Sequence, residues 1–256
     1  MAVIHQLGPP LVIGHRGAAA VQPENTLPSF QRALDLGVDA IEFDVRVTAD
    51  GVAVVHHDAS TGRTCGDDLL IAQSTMAQLR GLNAAAMFAG TAAPMHQTVI
   101  PRLDEVLELT RAVPVIIECK TVDAAPLVLT ALTSHGAADR AIVGSFLHDA
   151  MRSVRRTGVR SGASRRDMIA LVLRGLVRWA PGSLPYAAMC IPEESSGVRL
   201  PIARFAQWGA RLGVPVHVWT VNTAADANRL LDLGVTGVIS DDPATVLAAR
   251  AGRRTR

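Results

Sequence analysis

Short runs of apolar residues recur along the chain, and most are followed by a polar segment and then by a stretch with helical spacing. Continuous apolar runs this short are typical of strands that are buried on both faces of a parallel sheet. Their alternation with amphipathic segments such as Leu103 to Arg111 predicts repeated βαβ units. The runs occupy residues 11–13, 40–45, 52–55, 115–117, 141–143, 159–163, 187–191, 216–219 and 237–239.

The number and order of these runs predict an α/β fold, a (β/α)8 barrel of the TIM type. Such a barrel has eight strands, so one run is expected to lie outside it, as an extra hairpin or a bent strand. Asp50-Gly51 is a tight-turn signal between the second and third runs and favours a direct hairpin there. Residues 69–97, between the third and fourth strands, are rich in Ala, Met and Thr, and a lid or small insertion near the site fits this segment.

The length of 256 residues suits a barrel of this kind as one domain. Because no linker or low-complexity break is visible, we expect a single domain over residues 1–256 with its core at about 9–249. The basic segment 250–256 is interpreted as a solvated tail, with contact to an anionic surface as the alternative.

Composition and charge narrow the class of protein. A formal net charge of +2 offers no bulk electrostatic argument for a nucleic-acid partner. The three cysteines, at positions 65, 119 and 190, match neither a metal-site spacing nor a disulfide framework, which suits a reducing compartment. The N-terminus lacks a signal-peptide pattern, and the apolar stretch Met168 to Ala180 is interrupted by two arginines. We therefore expect a cytoplasmic protein without a membrane-spanning segment, of undetermined oligomeric state.

Ionisable residues are rare in buried strands, so those within the apolar runs point to function. Glu42 and Asp44 lie two apart in one predicted strand and therefore face the same side, and Glu118 and Lys120 show the same spacing at the end of another. We expect them at the carboxyl ends of their strands, where barrel active sites are built. Three converging carboxylates repel one another unless a cation neutralises them. Oxygen ligands suit Mg²⁺ or Ca²⁺ rather than zinc, and ion pairs with rim arginines are the alternative.

Two histidines and an arginine follow the predicted strands. His15 and Arg16 follow the first strand, and His57 follows the third. Because histidine titrates near neutral pH, His15 and His57 are candidates for the acid and the base of a reaction. Arg16 suits bidentate phosphate binding, although an ion pair with one of the acids is the alternative. Lys120 is expected to neutralise further charge or to contact an anionic substrate. Trp219, at the end of another strand, is either a wall of the substrate pocket or a core residue.

Taken in order, these residues form a series of motifs that resembles the glycerophosphodiester phosphodiesterase family. The resemblance covers nearly the whole chain, with weaker agreement over residues 160–199. One departure is Ala59, where the family often has proline. The matching motifs are GHRG at 14–17, PENT at 23–26, EFDV at 42–45, TADG at 48–51, VHHD at 55–58, GRT at 62–64, IPRLDEVL at 100–107, ECK at 118–120, SF at 145–146, VWTVN at 218–222 and SDDP at 240–243.

The resemblance implies a role for each candidate residue. The positions of the three carboxylates hold one divalent ion in such enzymes, usually Mg²⁺ or Ca²⁺. The two histidines serve as acid and base, and Arg16 and Lys120 bind phosphate. The implied reaction is the hydrolysis of a small-molecule glycerophosphodiester to glycerol 3-phosphate and an alcohol.

Three alternatives remain open. Another metal-dependent barrel enzyme, such as an aldolase or isomerase, would share the acid cluster. A lysophospholipase D or sphingomyelinase-like enzyme acting on a lipid would share the whole site, and an exposed apolar rim at residues 69–97 would favour it. A non-catalytic binder of a phosphate ligand would usually lack one of the acids or histidines, whereas here all of those positions are filled.

Overall fold

The structure is a computed structural model in which residues 10–91, 94, 98–176, 180–195 and 197–254 are described. Within those ranges the strands are β1 (Leu11–His15), β2 (Ala40–Val47), β3 (Ala53–Val55), β4 (Val115–Cys119), β5 (Ala141–Gly144), β6 (Met189–Pro192), β7 (Glu194–Ser195), β8 (Val198–Arg199), β9 (Val216–Trp219) and β10 (Gly237–Ser240). The helices are α1 (Leu27–Leu36), α2 (Gly62–Cys65), α3 (Met76–Arg80), α4 (Leu103–Leu109), α5 (Ala124–Ser134), α6 (His148–Arg155), α7 (Arg165–Leu176), α8 (Ile202–Leu212), α9 (Ala224–Asp232) and α10 (Pro243–Arg254). Short 3-10 turns cover Ile71–Gln73 and Ala138–Arg140.

Seven strands form one parallel sheet in the order β5-β4-β2-β1-β10-β9-β6. The first and last strands of the chain, β1 and β10, are neighbours, as they must be when a chain of βα units closes on itself. Helices follow the strands and cover the outside of the sheet. The predicted TIM-type barrel is therefore confirmed.

The segment 160–163 closes the ring between β5 and β6. Ser161 bridges Val143 of β5, and Gly162 bridges Ala188 beside β6, both in parallel register. The Gly162 N–H donates to the Val143 carbonyl at 2.8 Å, and the Ala163 N–H donates to the Ala188 carbonyl at 3.0 Å. This run was predicted as a strand; only two bridges form, so it completes the barrel as a short connecting strand of irregular shape.

The third apolar run, at residues 52–55, is the predicted extra hairpin arm. β3 pairs antiparallel with the far end of β2, with Val45 opposite Val55. Gly51 makes the turn between them in the left-handed conformation, with a φ of 76° that glycine adopts without steric cost. The hairpin lies outside the barrel ring and sends the chain into an insertion.

The described part of the insertion has a hydrophobic cluster of its own, formed by Val54, Cys65, Ile71, Met76, Leu79, Ala84 and Ile100. α2 and α3 are both short helices within it. Leu70 and Met87 are exposed apolar residues of the segment 69–97, but neither lines the cleft described below. Several residues between 92 and 97 lie outside the described residues.

Side chains on the barrel strands alternate between the two faces of the sheet. Leu11, Ile13, Ala40, Ile116 and Ile239 fill the barrel interior. The intervening residues, such as Ile41 and Phe43, pack against the surrounding helices. Because the alternation has a period of two, residues 42 and 44 continue the interior row that starts at Ala40. The interior is thus apolar at one end and acidic at the other.

The basic C-terminal segment departs from the expected solvated tail. Residues 250–254 belong to α10, and Arg250 pairs with Asp39 and also donates to the Pro10 carbonyl. Arg253 pairs with Asp232 at 2.6 Å. Arg250 therefore anchors the last helix to the segments before β1 and β2, and Arg253 anchors it to α9. Among the described residues no helix is both long and apolar enough to cross a membrane.

Candidate active site

Strand register brings the three predicted carboxylates together. His15 of β1 is opposite Glu42 of β2, and Asp44 is opposite Glu118 of β4. One oxygen from each of Glu42, Asp44 and Glu118 lies within 4.8 Å of the others. Glu42 and Asp44 are the third and fifth residues of an eight-residue strand, which corrects the expectation that they end it. β2 runs past the barrel rim to pair with β3, so its midpoint lies level with the carboxyl ends of β1 and β4.

The acids share the interior with two cations. Lys120 Nζ lies 2.9 Å from an oxygen of Asp44 and 2.8 Å from one of Glu118. Arg16 Nε forms an ion pair at 3.2 Å with the other Asp44 oxygen, and the Asn25 side-chain amide donates a hydrogen bond to that oxygen at 3.0 Å. The alternative predicted for Arg16, an ion pair with a site acid, is therefore present in this structure. Arg16 also pairs with Glu24 at 2.9 Å.

Burial and neighbouring charges shift the pKa values of Glu42 and Asp44 in opposite directions. Burial and the nearby Asp44 raise the pKa of Glu42 to about 8. Burial also disfavours the charge on Asp44, but Lys120 and Arg16 outweigh it and hold the pKa of Asp44 below its ordinary value. Burial disfavours a charged Lys120, yet Asp44 and Glu118 raise the pKa of Lys120. The positive charges of Lys120 and Arg16 are thus too weak at Glu42 to keep the pKa of this carboxyl in its ordinary range.

This arrangement fits a divalent cation on two grounds. The clustered ligands are all carboxylate oxygens, the type that Mg²⁺ and Ca²⁺ prefer. The positive charge of such an ion, added to those of Lys120 and Arg16, would also remove the conflict that keeps a proton on Glu42.

The loop after β1 holds Arg16 in an uncommon backbone conformation. Arg16 has a φ of 51°, and Asn25, whose N–H donates to the Arg16 carbonyl at 3.0 Å, has a φ of 56°. Gly17 follows with a φ of 94°, and a Cβ there would meet Ser29 Oγ at 2.3 Å. Non-glycine residues in the left-handed region are typical of functional sites, where the surrounding structure compensates for the strain. The loop thereby aims both Arg16 and Asn25 at Asp44.

His15 is held by a carboxylate from the other end of the chain. Its Nδ1 lies 2.6 Å from Asp241, which follows β10, and its Nε2 lies 3.9 Å from Glu42. Asn222 both donates to the Asp241 side chain and accepts from its backbone N–H, each at 2.9 Å. Burial disfavours a charged His15, but the hydrogen bond to Asp241 and the charge of Glu42 outweigh it and raise the pKa of His15. Nε2 is therefore the ring nitrogen directed toward the acid cluster.

His57 is held in the same way by its neighbour. Its Nδ1 lies 2.7 Å from Asp58, whose other oxygen lies 2.5 Å from Arg63 Nε. Burial opposes the charge on Asp58, but the hydrogen bonds to His57 and Arg63 lower its pKa to about 2. An ionised Asp58 accepts a hydrogen bond from the Nδ1–H of His57 and leaves Nε2 of the ring available.

Arg63 joins the two halves of the site. Its guanidinium donates to both oxygens of Glu24 at 2.7 Å, in addition to its contact with Asp58. Glu24 in turn pairs with Arg16. The chain of contacts runs from His57 through Asp58, Arg63 and Glu24 to Arg16, and we call these five residues the rim network. Bidentate guanidinium–carboxylate pairs are geometrically specific, so the network fixes side-chain orientation.

The cleft around these residues has a volume of about 740 Å³, counted out to its open mouth. One side is polar, with His15, Arg16, Glu42, His57, Glu118 and Lys120. The other side is mostly apolar, with Ile142, Phe146, Ala163, Cys190 and Trp219. Trp219 packs edge-on against Phe146, with ring centroids 6.3 Å apart. The structure therefore brings all eight predicted site residues together, with Asp44 buried behind the cleft surface.

Sequence reasoning did not assign roles to the residues that orient the site. Two of them had an available signal: Asp58 directly follows His57, and Asp241 is an acid at the carboxyl end of a strand. The others depend on contacts between distant loops. The residues missed are Glu24, Asn25, Asp58, Arg63, Asn222 and Asp241.

The fold and the site together define a TIM-type barrel enzyme with its polar cleft at the carboxyl ends of the strands. The chain belongs to the glycerophosphoryl diester phosphodiesterase family, whose model matches residues 15–245; enzymes of this name are phosphoric diester hydrolases.

Comparison with individual proteins agrees with this assignment. A glycerophosphodiester phosphodiesterase from Caldanaerobacter subterraneus subsp. tengcongensis is 30% identical over 247 residues, covering 93% of this chain and 96% of the relative. One from Bacillus subtilis is 28% identical, covering 91% and 84%. Among solved structures, an Oleispira antarctica phosphodiesterase in complex with the product sn-glycerol-3-phosphate has a TM-score of 0.78 and 25% identity, covering 95% of this chain and 97% of that one.

Proposed function

We propose that this protein hydrolyses glycerophosphodiesters to glycerol 3-phosphate and an alcohol, with a divalent cation bound by Glu42, Asp44 and Glu118. The observation that carries the proposal is a carboxylate cluster flanked by two histidines, each paired through Nδ1 with its own aspartate. The names of the relatives and the glycerol 3-phosphate complex of the Oleispira protein support the substrate class.

The cation is proposed to be one Mg²⁺ or Ca²⁺ ion. When bound, such an ion polarises phosphoryl oxygens and stabilises their charge. Lys120 lies between Asp44 and Glu118 and so is placed to share the negative charge of a phosphate with the ion. Arg16 is proposed as the second phosphate-binding residue, releasing part of its contact with Asp44. Phosphoryl transfer depends largely on such positioning and charge stabilisation.

The histidines move the protons. One of His15 and His57 accepts the proton of the nucleophile, and the other donates a proton to the departing alkoxide. Because Asp241 and Asp58 hold Nδ1 of their partners, Nε2 of each ring is the atom that exchanges the proton. The nucleophile is water or the adjacent glycerol hydroxyl, and the second route passes through a cyclic phosphate.

The apolar side of the cleft is proposed to receive the alcohol group. Trp219 and Phe146 form a wall opposite the histidines and the cations. An aromatic wall of this kind tolerates several head groups because it makes few directional contacts. A cytoplasmic location is part of the proposal, since all three cysteines are free thiols.

The function is tested by following product release from glycerophosphocholine, glycerophosphoethanolamine and lysophosphatidylcholine, with phosphorus NMR identifying each product. We expect glycerol 3-phosphate from the first two substrates, and a transient cyclic phosphate if the glycerol hydroxyl is the nucleophile. Release from the lysolipid alone would replace the proposal with a lysophospholipase D-like activity. Binding of glycerol 3-phosphate without turnover of any diester would identify a non-catalytic binder.

Arg63 is predicted to act as a positioning residue through the rim network. Replacement by alanine is expected to lower kcat by about 10- to 100-fold, because Asp58 and Glu24 lose the group that holds them together. Arg63→Lys should recover part of the loss, since lysine keeps the charge but not the fork. Arg111→Ala, which removes another exposed arginine paired with Glu108, is the matched control. Unchanged kcat and KM in Arg63→Ala would show that the rim network does not position the residues of the site.

A further inference from the structure

One sector of the barrel carries an unusual share of the positive charge. Residues 145–176 contain seven arginines and two aspartates, in a chain whose formal net charge is +2, so the rest of the chain is net negative. The sector comprises α6, segment 160–163 and α7, and the two helices are joined by the ion pair of Arg155 with Asp167 at 2.5 Å. The charge is therefore concentrated on one side of the molecule.

The outer face of α7 combines these arginines with apolar residues. Leu171 is buried and Met168 packs against the core, so these two residues mark the inner face of the helix. On the outer face Ile169 and Leu173 are 52% and 57% exposed, one helical turn apart. Arg165 and Arg166 precede them, and Arg174 follows; all three arginines are exposed. We call these five residues the α7 face.

A single exposed apolar residue is ordinary on a protein surface. Two in one row, between arginines at both ends, match the pattern of a helix that lies in a membrane interface, with apolar side chains among the acyl chains and basic groups at the phosphates. Nucleic acid would use the arginines alone and would leave Ile169 and Leu173 in water. The combination therefore favours an anionic lipid surface.

The N-terminal end of the α7 face adjoins a segment that lines the cleft. α7 starts two residues after Ala163, which together with Gly162 lines the cleft. Phe146, on the apolar cleft wall, is 48% exposed, and the adjacent Leu147 is 40% exposed. Arg165 and Arg166 in the first turn of α7 and the exposed Leu147 are thus each within three residues of a residue on the apolar side of the cleft.

We propose that the α7 face and Leu147 dock the enzyme on anionic membranes, so that the cleft receives phosphodiesters of lysophospholipids held in the bilayer as well as soluble glycerophosphodiesters. The docking step stands apart from the reaction, but the substrate it delivers rests on the function proposed above. Docking depends in part on the attraction between the arginines and anionic head groups, and added salt weakens this attraction.

Docking is tested by sedimenting the whole protein with vesicles of phosphatidylcholine and with vesicles of equal parts phosphatidylcholine and phosphatidylglycerol. We expect binding to the anionic vesicles only, decreasing with added salt. The triple variant Arg165→Gln, Arg166→Gln, Arg174→Gln should lower the partition coefficient by roughly fivefold per arginine, and Ile169→Ser with Leu173→Ser should lower it independently. Matched controls are Arg111→Gln and Leu233→Ser, both exposed and outside the basic sector.

Activity separates this inference from the function it rests on. The α7 variants should hydrolyse soluble glycerophosphoglycerol as the wild type does, but lose turnover of lysophosphatidylglycerol in anionic vesicles. Equal vesicle binding by wild type and variants, or no binding by either, would overturn docking while leaving the soluble activity intact. Self-association of the wild type that the serine variant abolishes, without vesicle binding, would overturn it in favour of a contact between copies of the chain. Failure of the wild type on both substrates would instead refute the proposed function.

Discussion

Turnover of glycerophosphocholine is expected to fall by about 10² to 10⁴-fold when His57 is replaced by alanine, and by a similar factor when His15 is replaced. Each ring presents Nε2 to the cleft while an aspartate holds Nδ1, so each variant removes one proton-transfer step. The KM should change less than kcat, because neither variant removes Arg16 or Lys120, the residues proposed to bind the phosphate.

The double variant His15→Ala, His57→Ala tests whether the two histidines transfer protons in the same catalytic cycle or only help to position the substrate. If the histidines act in the same catalytic cycle, the double variant should lose little more than the worse single variant. His135→Ala is the matched control, since His135 pairs with Asp104 and does not line the cleft. A folded double variant that keeps wild-type turnover would refute acid–base catalysis by these residues.

The second large effect is expected at Glu42, where function and stability should change in opposite directions. Glu42→Gln is expected to lower turnover by at least about 10²-fold, because it removes a carboxylate from the proposed cation site. In protein treated with EDTA the same change should raise the melting temperature at alkaline pH by several degrees. Turnover falls because a proposed cation ligand is lost. The melting temperature rises because a buried carboxylate that Asp44 repels is removed.

The pH dependence of that stability has a definite sign. The pKa of Glu42 is about 8 in the folded protein and about 4.5 in the unfolded chain. Between these values the folded state holds one proton more than the unfolded state, so stability decreases as the pH rises through this window. Glutamine has no such proton, so the advantage of Glu42→Gln should grow from about pH 5 to about pH 8.

Thermal unfolding followed by circular dichroism in EDTA measures this difference, with Glu108→Gln as a control at an exposed, ion-paired glutamate. Parallel curves of melting temperature against pH for the wild type and Glu42→Gln would show that Glu42 is not strained by its neighbours. A gain in the melting temperature of the wild type on adding Mg²⁺ or Ca²⁺, absent in Glu42→Gln, would link the carboxylate to the ion.

The parts of the site that lie on one strand were predictable because strand geometry is local. Residues two apart face the same side, so Glu42 with Asp44, and Glu118 with Lys120, could be placed together from spacing alone. That the two pairs meet follows from the parallel barrel, in which strand ends converge. The turn at Asp50-Gly51 was predictable for the same local reason.

The orienting contacts were beyond the reach of such reasoning. Asp241 lies 226 residues from His15, and only the pairing of β10 with β1 brings the two together. Arg63 reaches Glu24 across 39 residues because the insertion folds back beside the loop after β1. Glu42 and Asp44 lie in the middle of β2 because β2 extends further to pair with β3. The C-terminal arginines form ion pairs with residues that are distant in the sequence. Spacing contains no information on such long-range partners.

The most direct test of the central claim is a cation titration of turnover with EDTA-treated enzyme and glycerophosphocholine as substrate. We expect no release of glycerol 3-phosphate from the stripped enzyme, and saturable recovery on adding Mg²⁺ or Ca²⁺, with one ion bound per chain at saturation. Full turnover by enzyme shown to be free of metal would contradict the account and would leave Lys120 and Arg16 as the sole electrostatic support for the reaction.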